Sequence, residues 1–366
     1  MAVQKALFAP ARLGEIFFGL VMALLIALSL LLPISNWDVL PYTALVQGRG
    51  HDAAYATVRE SVSAAKWAEL TEESPYRRIQ YSDPAAFEAQ LGMYRIKPGY
   101  VAVARAFGAV LPPLTALHAV NALALLLIAA VSFLWMRRRA FSEAALLIVP
   151  AWMAMRLLEL SLMVTPDLLC AATALAGVAL LRFNRWVPAA LAFALATAIR
   201  PDFITFPAAF LLVALLLRTD AKAAFVALLL SAIAYASISL SGSYPGWWAH
   251  FARTMFETEL TAPPPFSLRL YLAGLLSGVT TMLTQAWPWI TFICIILWAR
   301  KSRLDSVFLA LILSLAIRVL AFPLAEERLY LPTVMILVML TAELLSGTHR
   351  LDHGEVEHER LGQRSG

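Results

Sequence analysis

The chain has 366 residues, 61% of them apolar and only 14% charged, whereas soluble domains carry roughly a quarter charged residues. That balance excludes an ordinary water-soluble enzyme, which needs more polar surface, and an intrinsically disordered chain, which needs less apolar mass. The net charge of +5 comes from basic residues at the ends of apolar runs, where the positive-inside rule puts them, so it speaks for topology and against a nucleic-acid partner.

Lys5 and Arg12 precede an apolar run over 16–32. The run is longer than a signal-peptide core and no Ala-x-Ala site follows it, which predicts an uncleaved first helix starting in the cytoplasm. A polar stretch comes next: 36–98 alone holds 15 charged residues. It reads as part of a first extracytoplasmic loop, 36–112, with amphipathic helices near 52–70 and 83–92. The span 113–136 ends in Arg137-Arg138-Arg139, a cytoplasmic signal. Apolar runs at 141–164, 166–181, 187–199, 203–217, 223–241, 286–299, 304–322 and 329–345 complete about ten predicted spans.

The basic joins 182–185, 218–222 and 300–303 then all fall on the cytoplasmic side. The runs 187–199 and 203–217 would reach only about 20–22 Å, so the turn Arg200-Pro201-Asp202 between them is predicted to lie below the outer lipid surface. Segment 242–268 mixes aromatics with charges and reads as a second outer, interfacial segment with Trp247 and Trp248 at headgroup level. The fold class predicted is all-α: a polytopic transmembrane bundle over 1–345 with a polar cytoplasmic tail, 346–366. Membrane lipids are the implied surroundings, and a bacterial inner membrane suits the signals.

Signatures of soluble enzymes are missing: no Walker A, no G-x-S-x-G, no dinucleotide loop. Cys170 and Cys294 lie in apolar runs and imply no disulfide framework. His349 and His353 could share a helix face in the tail, but without further ligands no metal site is predicted. What remains is a series of charged residues at outer helix ends. Asp38 follows the first helix, with Tyr42 four residues on. Lys97-Pro98-Gly99-Tyr100 begins the return to the membrane. Thr165-Pro166-Asp167 opens a span, Arg200-Pro201-Asp202 turns a hairpin, and Glu326-Glu327-Arg328 precedes Tyr330 and Pro332 at the last span. Each has an ordinary reading: Asp167 as a helix-start acid, Arg200 and Asp202 as a capping pair, Arg328 as an interface anchor. Five on one side of a lipid-embedded bundle point instead to a shared polar site.

This order of motifs resembles the GT-C superfamily of membrane glycosyltransferases, such as the protein O-mannosyltransferases and the aminoarabinose transferases of lipid A. Asp38 and Tyr42 keep the spacing of the family's Asp-Glu-x-x-Tyr element, with Val39 in place of the second acid. Lys97-Pro98 matches a Lys-Pro-Pro element, with Gly99 replacing the second proline. Pro166-Asp167, Arg200-Pro201-Asp202 and Arg328-Leu329-Tyr330-Leu331-Pro332 are similar to later family elements, the last with Leu329 inserted. The resemblance implies transfer of a sugar from a polyprenyl-phosphate donor to a hydroxyl of a glycan, lipid or protein acceptor, outside the cytoplasm and with inversion. By it, Asp38 is the general base; Lys97, Arg328 and Arg200 bind the donor phosphate; Tyr42, Tyr100, Asp167, Asp202 and Tyr330 support substrate binding. No cofactor is implied, and the sequence does not indicate a divalent metal. Two alternatives stay open: an O-antigen-type polymerase or ligase, and a secondary transporter, against which the long first loop and the missing paired halves argue.

Overall fold

The computed structural model describes residues 10–362 except 241–243, 245, 257, 259–262 and 301–303, and the side chains of 348–362 fall outside the description. Lys5, parts of the 242–268 segment, most of the 300–303 join, and the side chains of His349, His353 and His358 therefore lie outside the described residues.

The described chain is helical, with one isolated bridge between Ile34 and Met163. Among the described residues, four helices are long and apolar enough to cross a membrane: α1 (Pro10–Leu31), α8 (Pro113–Arg139), α14 (Ala221–Ser239) and the part of α19 (Glu327–Gly362) up to Gly347. A fifth is formed if α16 (Leu268–Met282) and α17 (Ala286–Ala299), bent by 77° at their junction, are one broken span. This is an integral membrane protein by the length and composition of those helices.

Two sequence expectations need correction. The predicted span 141–164 is not one helix. A 3₁₀ turn (Ser142–Ala144) leads into α9 (Ala145–Ala154), which contains Pro150, and Arg156 then takes a left-handed conformation (φ 57°) before α10 (Leu157–Leu162). Proline removes a helical hydrogen bond and left-handed backbone ends the helix, which periodicity of apolar residues cannot register. Conversely, between the interfacial segment and the 286–299 span, where the sequence predicts no span, residues 268–282 form the helix α16. Its mixture of Gly, Ser and Thr with leucines dilutes the apolar signal.

Residues 36–112 fold into short helices: α2 (Val39–Gln47), α3 (His51–Ser61), α4 (Ala64–Glu72), α5 (Pro75–Ser82), α6 (Pro84–Arg95) and α7 (Pro98–Gly108). Their boundaries are written locally. Ser63, Ser74 and Asp83 accept hydrogen bonds from Lys66, Arg77 and Ala85 backbone N–H groups, and Pro75, Pro84 and Pro98 stand first in their helices. His51, Tyr55, Trp67, Tyr81 and Phe87 then pack their rings together and hold α3 to α6 in one unit.

At the centre stand α11 (Asp167–Arg182), packed between α8, α12 (Trp186–Ile199) and α19, and the almost wholly buried stretch of α19 from Tyr330 to Ala342. Gly177 makes the α11–α12 contact close: a Cβ there would lie 2.3 Å from the Phe193 ring. A second 3₁₀ turn (Pro201–Ile204) leads into α13 (Thr205–Leu217), and α15 (Trp247–Phe256) and α18 (Ser306–Ala321) complete the bundle.

Two polar layers mark opposite ends of α11. At its C-terminal end, Arg182 pairs with Asp305 at 2.7 Å, and Glu343 takes Arg139 and the Trp135 indole N–H. At its N-terminal end, some 24 Å away along a 16-residue helix, lies the candidate site.

Candidate active site

Asp38 is carried where α1 gives way to α2. The turn is pinned by Asn36, whose side chain donates to the Val164 carbonyl at 3.1 Å and accepts from the Val164 N–H at 3.0 Å. One residue further on is Thr165, and then the start of α11. The amide thus sets the distance between Asp38 and Asp167, which are remote in sequence. Asp38 stands at the N-cap of α2 but does not cap it with its side chain. Its carboxylate instead faces a cavity of about 720 Å³. The Tyr94 hydroxyl donates to Oδ1 at 2.8 Å and the Arg328 guanidinium to Oδ2 at 2.8 Å. Arg328 also pairs with Glu326.

Lys97 enters from the start of α7, its ammonium 4.9 Å from the Tyr94 ring centroid and 5.8 Å from that of Tyr42. Its amine is pushed down to about 7, chiefly by burial and further by Arg200 and Arg328, against the pull of Asp38.

The floor is an alternating chain of charge. Asp167 accepts from the Thr165 hydroxyl and pairs with Arg200; Arg200 makes a bidentate pair with Asp202 at 3.0 and 3.1 Å; Asp202 pairs with Arg318 from α18. Asp167 is 2% exposed and Arg200 8%, so each charge depends on its neighbours for compensation.

Of the residues singled out in the sequence, Asp38, Lys97, Asp167, Arg200, Asp202 and Arg328 all line this one cavity. Tyr42, Tyr100 and Tyr330 do not. The Tyr42 ring packs between Tyr94 and Tyr100, at 5.0 and 4.6 Å, as a seat under Lys97. Tyr330 stacks on Trp287 at 3.9 Å, beneath Arg318. These three support the wall rather than line the cavity.

The cavity is also lined by residues outside those motifs, Tyr94, Arg318, His250 and Arg253 among them. Arg318 carried a signal, a lone arginine inside the apolar run 304–322. The others did not, since an aromatic or basic residue in a polar loop is unremarkable before the loop is folded. His250 and Arg253 lie on α15, which closes one side of the cavity. The His250 ring meets Phe322 at 4.8 Å and its Nδ1 lies 3.2 Å from the Tyr244 hydroxyl. Burial, then Lys97 and Arg200, push its imidazole down to about 3, which leaves a neutral ring in the wall at physiological pH.

Among the described residues, no three His, Cys, Asp or Glu side chains converge as a metal-binding group. The arrangement offers, at Asp38, a recessed carboxylate with spare acceptor capacity and cations around it; the residue is 9% exposed, and electrostatic interactions there outweigh those in bulk water. No protein-family model, curated protein or solved structure matches the chain.

Proposed function

We propose that this chain is an integral membrane glycosyltransferase of the GT-C type. It moves a sugar from a polyprenyl-phosphate donor to an acceptor hydroxyl on the extracytoplasmic face of what the sequence signals suit as a bacterial inner membrane. In this reading α9, α11, α12, α13 and α18 join the longer helices to make about ten membrane passes, and both termini are cytoplasmic. The observation that carries the reading is the meeting of Asp38 with Lys97 and Arg328 in one recessed cavity at one end of the bundle.

The chemistry follows from those groups. The acceptor hydroxyl gives its proton to Asp38 as its oxygen bonds to the anomeric carbon. The bond from that carbon to the phosphate oxygen breaks, and the electron pair leaves with the polyprenyl phosphate. Attack from the face opposite the leaving group inverts the anomeric centre. A carboxylate offers about four acceptor positions, and Tyr94 and Arg328 occupy one on each oxygen, so a position remains for the acceptor. The charge that grows on the phosphate meets Lys97 in a poorly hydrated site, where fixed cations act most strongly. Arg328 orients the base through its hydrogen bond. Arg200, already shared between Asp167 and Asp202, holds the floor. Helices 36–95 and α15 form the outer cover and the acceptor face.

Asp38→Asn tests the proposal. It keeps the size and hydrogen-bonding outline of the side chain and removes the base. With purified protein and a panel of polyprenyl-phosphate sugars, turnover falls by at least about a thousandfold, within the range attributed to general bases, while the protein stays folded and inserted. Near-normal turnover of Asp38→Asn would retire the assignment of the base.

A further inference from the structure

Six basic side chains line the cavity among the described residues, and four are held by carboxylates: Arg77 by Glu73, Arg200 by Asp167 and Asp202, Arg318 by Asp202, and Arg328 by Asp38 and Glu326. Among the described residues no carboxylate lies within ion-pair distance of Lys97 or Arg253, although Asp38 acts on Lys97 from farther off. A cation already matched to an acid has little attraction left for an incoming anion, so these two are the basic groups with donors to offer a ligand: Arg253 as a full cation, and Lys97 as an amine that an anion beside it would protonate.

Arg253 is the single charged residue of α15, whose sequence is Trp-Trp-Ala-His-Phe-Ala-Arg-Thr-Met-Phe. The aromatic residues fasten this helix. The Trp247 indole N–H donates to the Ala321 carbonyl at 2.8 Å and that of Trp248 to Pro264 at 2.7 Å, while Phe251 packs on Tyr271. The helix thus brings its one charge to the cavity on an apolar mount. The guanidinium lies 3.6 Å from the Tyr76 ring centroid, and its hydrogen bond to the Thr258 carbonyl is long at 3.3 Å. Tyr76 in turn packs on Trp37, the neighbour of Asp38, at 5.6 Å. A stacked guanidinium keeps its edge N–H donors for a planar or tetrahedral anion.

We infer that Lys97 and Arg253 are the two arms of an anion subsite that takes the phosphate group of an isoprenoid lipid, with Arg253 drawing α15 down over it. The inference deepens the transferase proposal and rests on its placing a phosphate in this cavity. It moves the anion-binding role from Arg200 and Arg328 to a residue outside the sequence motifs. Ile238, Phe322 and Leu324 line the same cavity and offer apolar surface to a chain attached to the phosphate. His250, one turn before Arg253 and neutral, adds no competing charge.

The test measures binding rather than turnover. Full-length protein in detergent is titrated with geranyl phosphate, with inorganic phosphate as a separate arm, at two salt concentrations. Arg253→Ala and Lys97→Met each weaken geranyl phosphate binding by about tenfold or more, the size expected for one charge-assisted contact, and each flattens the salt dependence. Tyr76→Leu removes the seat but not the charge and weakens binding by less than about threefold. Arg253→Gln carries the same expectation as Arg253→Ala if the alanine variant does not fold. Binding by Arg253→Ala within twofold of the parent overturns the inference. So does an equal loss in Tyr76→Leu, which makes Arg253 a clamp for α15 and nothing more. Inorganic phosphate binding as tightly as geranyl phosphate supports the anion site but assigns it to free phosphate instead of a lipid. Intact, Arg253-dependent binding without any sugar transfer would leave the subsite standing and remove the transferase reading; transfer that is indifferent to Arg253 would do the reverse.

Discussion

Replacing Arg200 with Met probes the charge chain under the cavity. Arg200 is 8% exposed and sits between Asp167, 2% exposed, and Asp202, whose side chain is 37% exposed. Removing it has unequal consequences for the two acids. Asp202 keeps Arg318 and some water. Among the described residues Asp167 keeps the Thr165 hydroxyl and no cation, and a buried charge left so costs about 3–5 kcal/mol. Asp167→Asn is milder, because Arg200 still has its bidentate partner Asp202; roughly 1–3 kcal/mol is expected. In the Asp167→Asn background the Arg200→Met change strands no charge at Asp167, so its added cost falls to about 1 kcal/mol and the pair is strongly coupled. Unfolding of the full-length protein in mixed micelles, followed by tryptophan fluorescence, gives all four corners of the cycle. If Asp167→Asn cost as much as Arg200→Met, or the double variant cost the sum of the two, the reasoning from stranded charge would be wrong.

Asn36→Ala removes both hydrogen bonds that tie the α1–α2 turn to Val164. A loss of about 1–3 kcal/mol in stability is expected, together with reduced turnover from a misplaced Asp38; unchanged turnover would show that the turn holds its position without the amide. Gly278→Ala would place a Cβ 1.9 Å from the Pro323 carbonyl oxygen, in the segment leading to Glu326 and Arg328. It should destabilise by about 1–3 kcal/mol, whereas Gly19→Ala, with nothing within 4 Å, should be neutral or stabilising; thermal unfolding of the two variants side by side decides the point. For Lys97 the folded amine lies near 7 and the ordinary value is 10.5. Between those values the unfolded chain binds a proton that the folded chain lacks, so this group makes stability rise with pH from about 7 to about 10.5. Lys97→Met should flatten that rise in unfolding titrations. An anion bound beside Lys97 favours its charged form, so geranyl phosphate binding at pH 8 should take up about one proton; calorimetry in buffers of different ionisation enthalpy reads it, and equal uptake by Lys97→Met would refute the role.

The membrane character of the chain was legible because it is compositional: no arrangement of 61% apolar residues fits a water-soluble surface. Helix starts in the first polar segment were legible for a local reason, since Ser-, Asp- and Pro-headed helices are specified within one turn. The candidate site was legible in part. Six charged residues at helix ends meet in one cavity, and such residues stand out against apolar runs. The breaks at Arg156 and at 283–285 were not legible, because apolar periodicity is indifferent to a change in helix direction.

By itself, then, the sequence determined where polar groups can stand: at the ends of apolar helices, and only where they repay their cost in lipid. Which of them pair was decided by the tertiary structure. Asp38 and Arg328 are 290 positions apart, and nothing local selects that contact over another. Packing of α11 against α12 and α19 brought Asp167, Arg200 and Arg328 to the same end of the bundle. That packing neutralised Arg200 and Arg328, and among the described cations that line the cavity it left Lys97 and Arg253 without a carboxylate at ion-pair distance. The reason is one of range: helix capping and hydropathy act over a few residues, while compensation of a buried charge depends on whatever the fold places within about 4 Å of it.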